Sequence, residues 1–267
     1  MEIMPADWVA VGCRAVQDWR FRNQVSPMRA RRIAAAFATA LLLPASGHSA
    51  GPGQAPGAAT APVVVELFTS QSCSSCPPAD ALLAELARTR PDILALDFHV
   101  TYWDRLGWKD PYSLPAATSR QRHYAELWRR DGVYTPQLVA GGRHQAVGSD
   151  RAEVLAAIQA AAATPPAAPL RLGRDAAGLV LEAGAGDGAG TLLLVGFDPA
   201  RTTRVAGGEN GGRTLTEVNV VRSITPAGDW RGAAVSLHAP QPAGERTALL
   251  LQADDGRLLA AAVLPPG

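Results

Sequence analysis

The chain has 267 residues, 47% of them hydrophobic and 18% charged, and its 25 Lys and Arg against 24 Asp and Glu leave a formal net charge of +1. This is a globular composition, long enough for a sizeable core in one domain or two. It offers no broad positive field for a phosphate backbone, and no Lys/Arg run is interleaved with aromatics outside the N-terminal segment, so nucleic acid is excluded as a partner. Three cysteines, Cys13, Cys73 and Cys76, are too few for a disulfide-rich scaffold or a four-thiolate zinc site.

From Met28 the segment MRARRIAAAFATALLLPASGHSA places three arginines before an apolar run, Ile33 to Leu43, and then small residues. That order is a secretory signal peptide over residues 28–50. The run falls well short of the roughly 20 residues that span a bilayer. Cleavage is expected after Gly47 or Ala50, giving a periplasmic or secreted protein with no membrane anchor in the mature chain. Residues 1–27 lie upstream of a complete signal and read as an extension from a mis-assigned start, the alternative being an unusually long leader. Either way Cys13 is lost, and the two remaining cysteines share one motif in a compartment where disulfides persist.

Residues 51–62 are rich in Gly, Pro and Ala and read as a flexible lead-in. VVVELFT (63–69) is a buried-strand pattern that runs into SQSCSSCPPAD, and helix-spaced Leu82, Leu83 and Leu86 follow until Pro91. ILALDFHV (93–100) is a second apolar strand, expected parallel to the first. TYWDRLGWKDPYSLP reads as a long loop, then a helix from about Ala116 to Arg130. Two short strands, QLVA and HQAV, turn at Gly141-Gly142, and a helix from Arg151 to about Ala163 is capped by Asp150. The order β-α-β-α-β-β-α over residues 63–163 is the core of a thioredoxin fold. TPPAAP, from Thr164, marks a boundary. Beyond it, residues 168–267 hold seven strand-like runs, Leu170 to Leu172, Leu179 to Glu182, Thr191 to Phe197, Thr214 to Ser223, Ala233 to His238, Thr247 to Gln252 and Leu258 to Leu264, spaced as a small antiparallel β-sandwich.

A Cys-x-x-Cys between strand and helix puts Cys73 at the helix start, where free N–H groups favour the thiolate, with Cys76 placed to resolve a mixed disulfide. A zinc site needs two more ligands, and His99, His123 and His144 stand at no ligand spacing. Copper(I) capture by the two thiolates and a purely structural disulfide stay open beside redox catalysis. No cofactor is implied. Thioredoxin folds carry a cis proline before the third core strand and beside the cysteines, the position that Thr135-Pro136 holds here. Glu66, seven positions before Cys73, is either a proton acceptor for Cys76 or a strand-edge glutamate reaching solvent or an ion pair. GENGGRTLTEVNVVR brings Glu209, Asn210, Arg213, Asn219 and Arg222 without a nucleophile and base, and these read as turn formation and docking.

Together VVELFTSQSCSSCPPAD, FHVTYWDRLGWKDPYS, TSRQRHYA, VYTPQ and NVVR resemble the secreted bacterial proteins of domain-of-unknown-function family 1223, over about residues 62–264. The resemblance implies a thioredoxin-like domain, a β-rich C-terminal domain and a periplasmic or secreted location, and it brings no established activity. Ser72 stands where glycine is expected, and Thr101 where Asp is expected, which weakens an acid pair with Asp104. The family-like runs contain His99, Tyr102, Trp103, Asp104, Trp108, Arg120 and Gln121, and the segment from His99 to Asp104, with Thr135, is expected to wall the cysteine site. The alternative for Trp103 and Trp108 is packing of the long loop. The reading that follows is a thiol-disulfide oxidoreductase with Cys73 as nucleophile, Cys76 as resolving thiol and Pro136 shaping the groove, acting on protein thiols or disulfides. The rival is a non-enzymatic binding protein, either a soft-metal carrier or an interaction module with a structural disulfide.

Overall fold

A computed structural model describes residues 61–265, so the upstream extension, the signal peptide and most of the lead-in lie outside the described residues. The β-branched and apolar runs form β1 (Val63–Thr69) and β2 (Ile93–His99), which pair in parallel from Val63 and Ile93 to Thr69 and His99. Between them α1 (Pro77–Thr89) starts on two prolines, which suit a first turn whose N–H groups have no partner. A 3-10 helix (Thr101–Leu106) occupies the front of the segment expected to be a loop, and α2 (Pro115–Leu127) follows. β3 (Gln137–Ala140) and β4 (His144–Val147) form a hairpin on the free edge of β1. Gly141 and Gly142 turn it with φ of +62° and +66°, and a Cβ on Gly142 would lie 2.0 Å from the carbonyl oxygen of Gly256. α3 (Arg151–Ala162) is capped by Asp150, whose carboxylate accepts from the N–H groups of Ala152 and Glu153.

The seven later strands are β5 (Leu170–Asp175), β6 (Gly178–Ala183), β7 (Gly190–Arg204), β8 (Thr214–Trp230), β9 (Val235–Ala239), β10 (Arg246–Gln252) and β11 (Leu258–Val263). They do not make a separate sandwich. β7 and β8 are a long antiparallel ribbon, and Val220 of β8 pairs in parallel with Asp97 of β2. One eight-stranded sheet therefore runs β11-β10-β7-β8-β2-β1-β3-β4, and only β5, β6 and β9 form a second, antiparallel sheet. The fold is mixed α/β, and both sides of the proline boundary contribute to the same large sheet.

The period-two alternation of the strands sorts side chains onto two faces. Val64, Phe68, Leu96, Phe98 and Val139 meet Tyr124 of α2, and the same cluster continues into Val195, Phe197, Val221 and Leu250. On the opposite face Val65, Leu67, Ala95 and Leu138 pack under α1 and α3. Farther along, Leu192, Leu194, Leu249 and Leu251 are covered by Leu172, Leu179 and Leu181 of the small sheet. A chain ending at residue 163 loses β8 from the edge of β2 and a large part of the α2-side core. It is expected to show no cooperative thermal transition by circular dichroism, whereas Phe98→Ala in the full chain should keep the transition and lower stability by about 3–5 kcal/mol.

Candidate functional site

Cys73 and Cys76 are joined in a disulfide across the turn between β1 and α1, and both are fully buried while Ser74 and Ser75 are exposed. Cys76 caps the helix: its carbonyl accepts from the N–H groups of Ala79 and Asp80 at 2.8 and 3.1 Å. Several of the N–H groups expected around Cys73 are otherwise employed. The N–H of Cys73 donates to Ser70 O, that of Ser74 donates to the Glu209 carboxylate at 2.8 Å, and Pro77 and Pro78 have none. Hydroxyls take their place at sulphur. Thr135 Oγ1 donates to Cys73 Sγ at 3.3 Å, and Ser75 Oγ lies 3.3 Å from the same atom. Trp103 Nε1 donates to Thr135 Oγ1 at 2.7 Å, and because an indole only donates, the Thr135 hydroxyl is left to direct its hydrogen at sulphur. The Thr135-Pro136 peptide bond is cis, and β3 begins directly after it.

The tip of the β7–β8 ribbon grips the turn from outside. Asn210, itself buried, donates through Nδ2 to the carbonyls of Gln71 and Cys73 at 3.0 and 2.8 Å, and the N–H of Glu209 donates to Ser72 O. Gly208, at φ +67°, passes Ser72 so closely that a Cβ would lie 2.7 Å from its hydroxyl oxygen. Docking was the sequence expectation for Glu209 and Asn210, and the surface they dock on is the cysteine turn itself.

Glu66 is not at the sulphurs. It points to the α2 face, where Arg120 forks onto both its oxygens and Tyr124 donates to Oε2 at 2.6 Å, so the ion-pair alternative describes its surroundings. His99 forms no hydrogen bond with either cysteine. Its Nδ1 lies 2.7 Å from Asp110 Oδ2 and its Nε2 3.5 Å from Asp97 Oδ2, all within the interior. Tyr102 donates to Gln121, and Asp104 accepts from Ser113 and from the N–H of Asp110; these two order the segment after β2. Of the expected wall, Thr135 meets Cys73 Sγ and Trp103 bonds to Thr135.

The acid nearest Cys76 in the helix is Asp80. It stands one turn on, on the face that positions i and i+4 share, and accepts the Thr69 hydroxyl at 2.7 Å. Burial, and then the charge of Asp97, push its carboxyl well above the usual range. Asp97 and Glu217 complete the group. β8 reaches it because the alternation slips at Asn219, which adopts φ +50°: the inward residues run Leu215, Glu217 and then Val220. Asn219 also donates to Ala95 O of β2. Sequence reasoning missed Asp80, Asp97, Asp110 and Glu217. One signal was available, a charged residue and a histidine two apart on one face of an otherwise apolar strand, ILALDFH. Among the described residues no three His, Cys, Asp or Glu side chains are grouped so as to hold a metal ion.

Residues 64–252 match the family described as Protein of unknown function (DUF1223), and the chain belongs to that family. The crystal structure of protein AGR_C_4864 from Agrobacterium tumefaciens is similar at a TM-score of 0.68 and 28% identity, over 77% of this chain and 95% of that one. HBP35 of Porphyromonas gingivalis is similar at a TM-score of 0.53 and 12% identity, over 76% and 74%, a likeness of fold alone. No curated protein matches.

Two expectations follow from these contacts. In the reduced protein Thr135→Val removes the hydroxyl donor and should raise the Cys73 thiol pKa by about one unit, since a hydrogen bond to a charged group contributes about 1.5 kcal/mol or more; the thiolate absorbance titration reads it, and Trp103→Phe should move it less in the same direction. Burial raises Glu217 to about 7, above an unfolded value near 4.3. Between these values the folded chain holds more protons than the unfolded one, so this carboxyl lowers stability as pH rises from about 4.3 to about 7. Glu217→Gln should match the parent near pH 4.3 and be about 1–3 kcal/mol more stable at pH 8 by denaturant titration.

Proposed function

We propose that this protein is a thiol-disulfide oxidoreductase of the periplasm or extracellular space, built on a thioredoxin-like arrangement of residues 63–163. The observation that carries the reading is a Cys-x-x-Cys disulfide at a strand-to-helix turn with an oriented hydroxyl, that of Thr135, aimed at Sγ of the first cysteine. The arginine-apolar-small order of residues 28–50 supports export to a compartment where such a disulfide persists. Among the described residues no helix is long and apolar enough to cross a membrane.

In the reducing half of a cycle a partner thiolate bonds to Sγ of Cys73, the internal disulfide breaks and Cys76 leaves with the electron pair. A second partner thiolate then attacks the partner sulphur of the mixed disulfide and releases Cys73 as thiolate. The partner is oxidised by two electrons and this protein reduced by two; the reverse sequence transfers a disulfide outward. Partners are protein thiols or disulfides, with Pro136 and Thr135 bordering the groove that receives them.

The complete burial of both cysteines, and the ribbon tip tied to the turn, favour a second reading in which the disulfide is structural within a binding module. One experiment separates the two. Expressed with its leader in an exporting host, Cys76→Ser should accumulate mixed disulfides with other proteins on non-reducing gels, and Cys73→Ser should accumulate few or none. No trapping by Cys76→Ser gives the structural reading, in which both substitutions merely lower the unfolding midpoint, and equal trapping by both variants overturns the assignment of Cys73 as nucleophile and Cys76 as resolving thiol.

A further inference from the structure

The buried side-chain atoms that lack a hydrogen-bond partner among the described residues are Asp97 Oδ1 and Oδ2, His99 Nε2 and Glu217 Oε1, and all four belong to one cluster. An unpartnered polar atom in the interior is costly, so four in one place call for a common explanation. The surrounding bonds fix what each group carries. Asp110 accepts from His99 Nδ1 and the N–H of Gln71 through Oδ2, and from the N–H of Tyr112 through Oδ1. It is therefore a well-solvated anion, and Nδ1 of His99 carries hydrogen. Trp108 Nε1 donates to Gln71 Oε1 at 3.1 Å, which turns the Gln71 amide so that Nε2 donates to Glu217 Oε2 at 3.0 Å. Of the four remaining atoms Asp97 Oδ2 and His99 Nε2 face each other at 3.5 Å, and Asp97 Oδ1 and Glu217 Oε1 are open to a further proton.

The charge balance points the same way. Four carboxyl groups, on Asp80, Asp97, Asp110 and Glu217, face a single imidazole. The other charged groups bordering them are Asp104, bonded to the N–H of Asp110, and Arg222, which lies over the Tyr112 ring whose other contact is the His99 imidazole. β1 contributes only Thr69, through its bond to Asp80. Burial opposes charge on His99, yet Asp110 and Asp97 hold it well above its usual value; burial raises Asp97 against the pull of His99, and carries Glu217 to about 7. With the disulfide formed, Glu217 is therefore the carboxyl of the cluster that ionises near neutral pH, and above about 7 it can accept a proton.

We propose that Asp97, His99 and Glu217 form a buried proton-binding site that takes up a proton when the Cys73-Cys76 disulfide is reduced and releases it when the disulfide re-forms. Both ends of the turn are tied to the site: Gln71, two residues before Cys73, bridges Asp110 and Glu217, and Asp80 stands one helical turn beyond Cys76. Reduction by a dithiol breaks the protein S–S bond and forms one in the dithiol, and two protons leave the dithiol. One goes to Cys76 as thiol. Cys73 stays as thiolate, and its new negative charge, felt through a dry interior, draws the second proton onto the cluster instead of into solvent. This deepens the oxidoreductase reading and depends on it only for its use in turnover.

The test is the equilibrium of the full exported chain with dithiothreitol between about pH 7 and about pH 8, where Glu217 is ionised in the disulfide form, Cys73 is to be ionised and the reagent protonated. If the cluster takes the second proton, the equilibrium constant should change by less than about threefold per pH unit in the parent, and by close to tenfold per unit in Glu217→Gln, where that proton enters solvent. Infrared difference spectra of reduction should show a protonated carboxyl band growing in the parent and not in Glu217→Gln. Asp97→Asn gives the second variant should Glu217→Gln fail to fold, and the same change of slope is expected. Equal slopes in parent and variant, no carboxyl change on reduction, or a native disulfide that dithiothreitol does not open would each overturn the proposal. Loss of partner trapping by Cys76→Ser with these slopes intact would remove the oxidoreductase reading and leave the proton site standing.

Discussion

The parallel contact between β2 and β8 is the constraint on which the rest of this structure depends. It is narrow, one ladder pair at Asp97 and Val220, yet it joins the strands before the proline boundary to those after it in a single sheet. By closing the edge of β2 it leaves every residue of that strand buried, including two, Asp97 and His99, that water would otherwise solvate. It also sets where the β7–β8 ribbon ends. The tip falls on the cysteine turn, so Asn210 and Glu209 hold that turn from a distance of more than 130 residues in sequence.

Those grips change the local chemistry of the cysteines. A helix whose first two positions are prolines has no N–H to offer there, and the N–H groups of Cys73, Ser74 and Cys76 are committed to Ser70 O, the Glu209 carboxylate and Cys73 O. The groups that meet Cys73 Sγ are side-chain hydroxyls. The pair Thr135 and Trp103 suits this because the indole occupies the hydroxyl oxygen and so fixes which way its hydrogen points. A threonine without that partner would rotate freely between donor and acceptor roles.

Much of this was legible in sequence, and the limits have physical reasons. Strand periodicity and turn residues identify all seven later strands, because alternation and Gly/Pro punctuation are local. The single sheet was not legible, since the pairing of β2 with β8 is a long-range event that neither strand signals. β7 and β8 outrun their apolar cores because paired ladders extend through polar residues once the ribbon exists. Glu66 illustrates the same limit at the site: the sequence shows a buried acid but not its face, and its place between Val65 and Leu67, which pack on the α1 side, sends it to the α2 side. The acids that do lie on the cysteine side, Asp80, Asp97 and Glu217, come from three separate elements, and Glu217 turns inward only through the left-handed backbone of Asn219.

The two buried acid sites on either side of β1 and β2 show how differently a fold can treat the same functional group. On the α2 face Glu66 is compensated by a bidentate guanidinium and the Tyr124 hydroxyl, and Arg120 and Tyr124 are tied in turn to Gln252. Such an arrangement gives each buried polar group a partner of opposite charge or a hydrogen bond, which makes it a fastening. On the cysteine face four carboxyl groups share one imidazole, and the atoms left without partners gather between them. No fastening role explains that choice, because apolar side chains of similar size would be no less stable there. What an under-compensated cluster offers is ionisation that responds to a neighbouring charge. Gln71 and Asp80 connect that cluster to the two ends of the cysteine turn. The disposition of buried charge therefore separates the two faces of one sheet into a side that holds the halves together and a side whose under-compensated carboxyls border the turn.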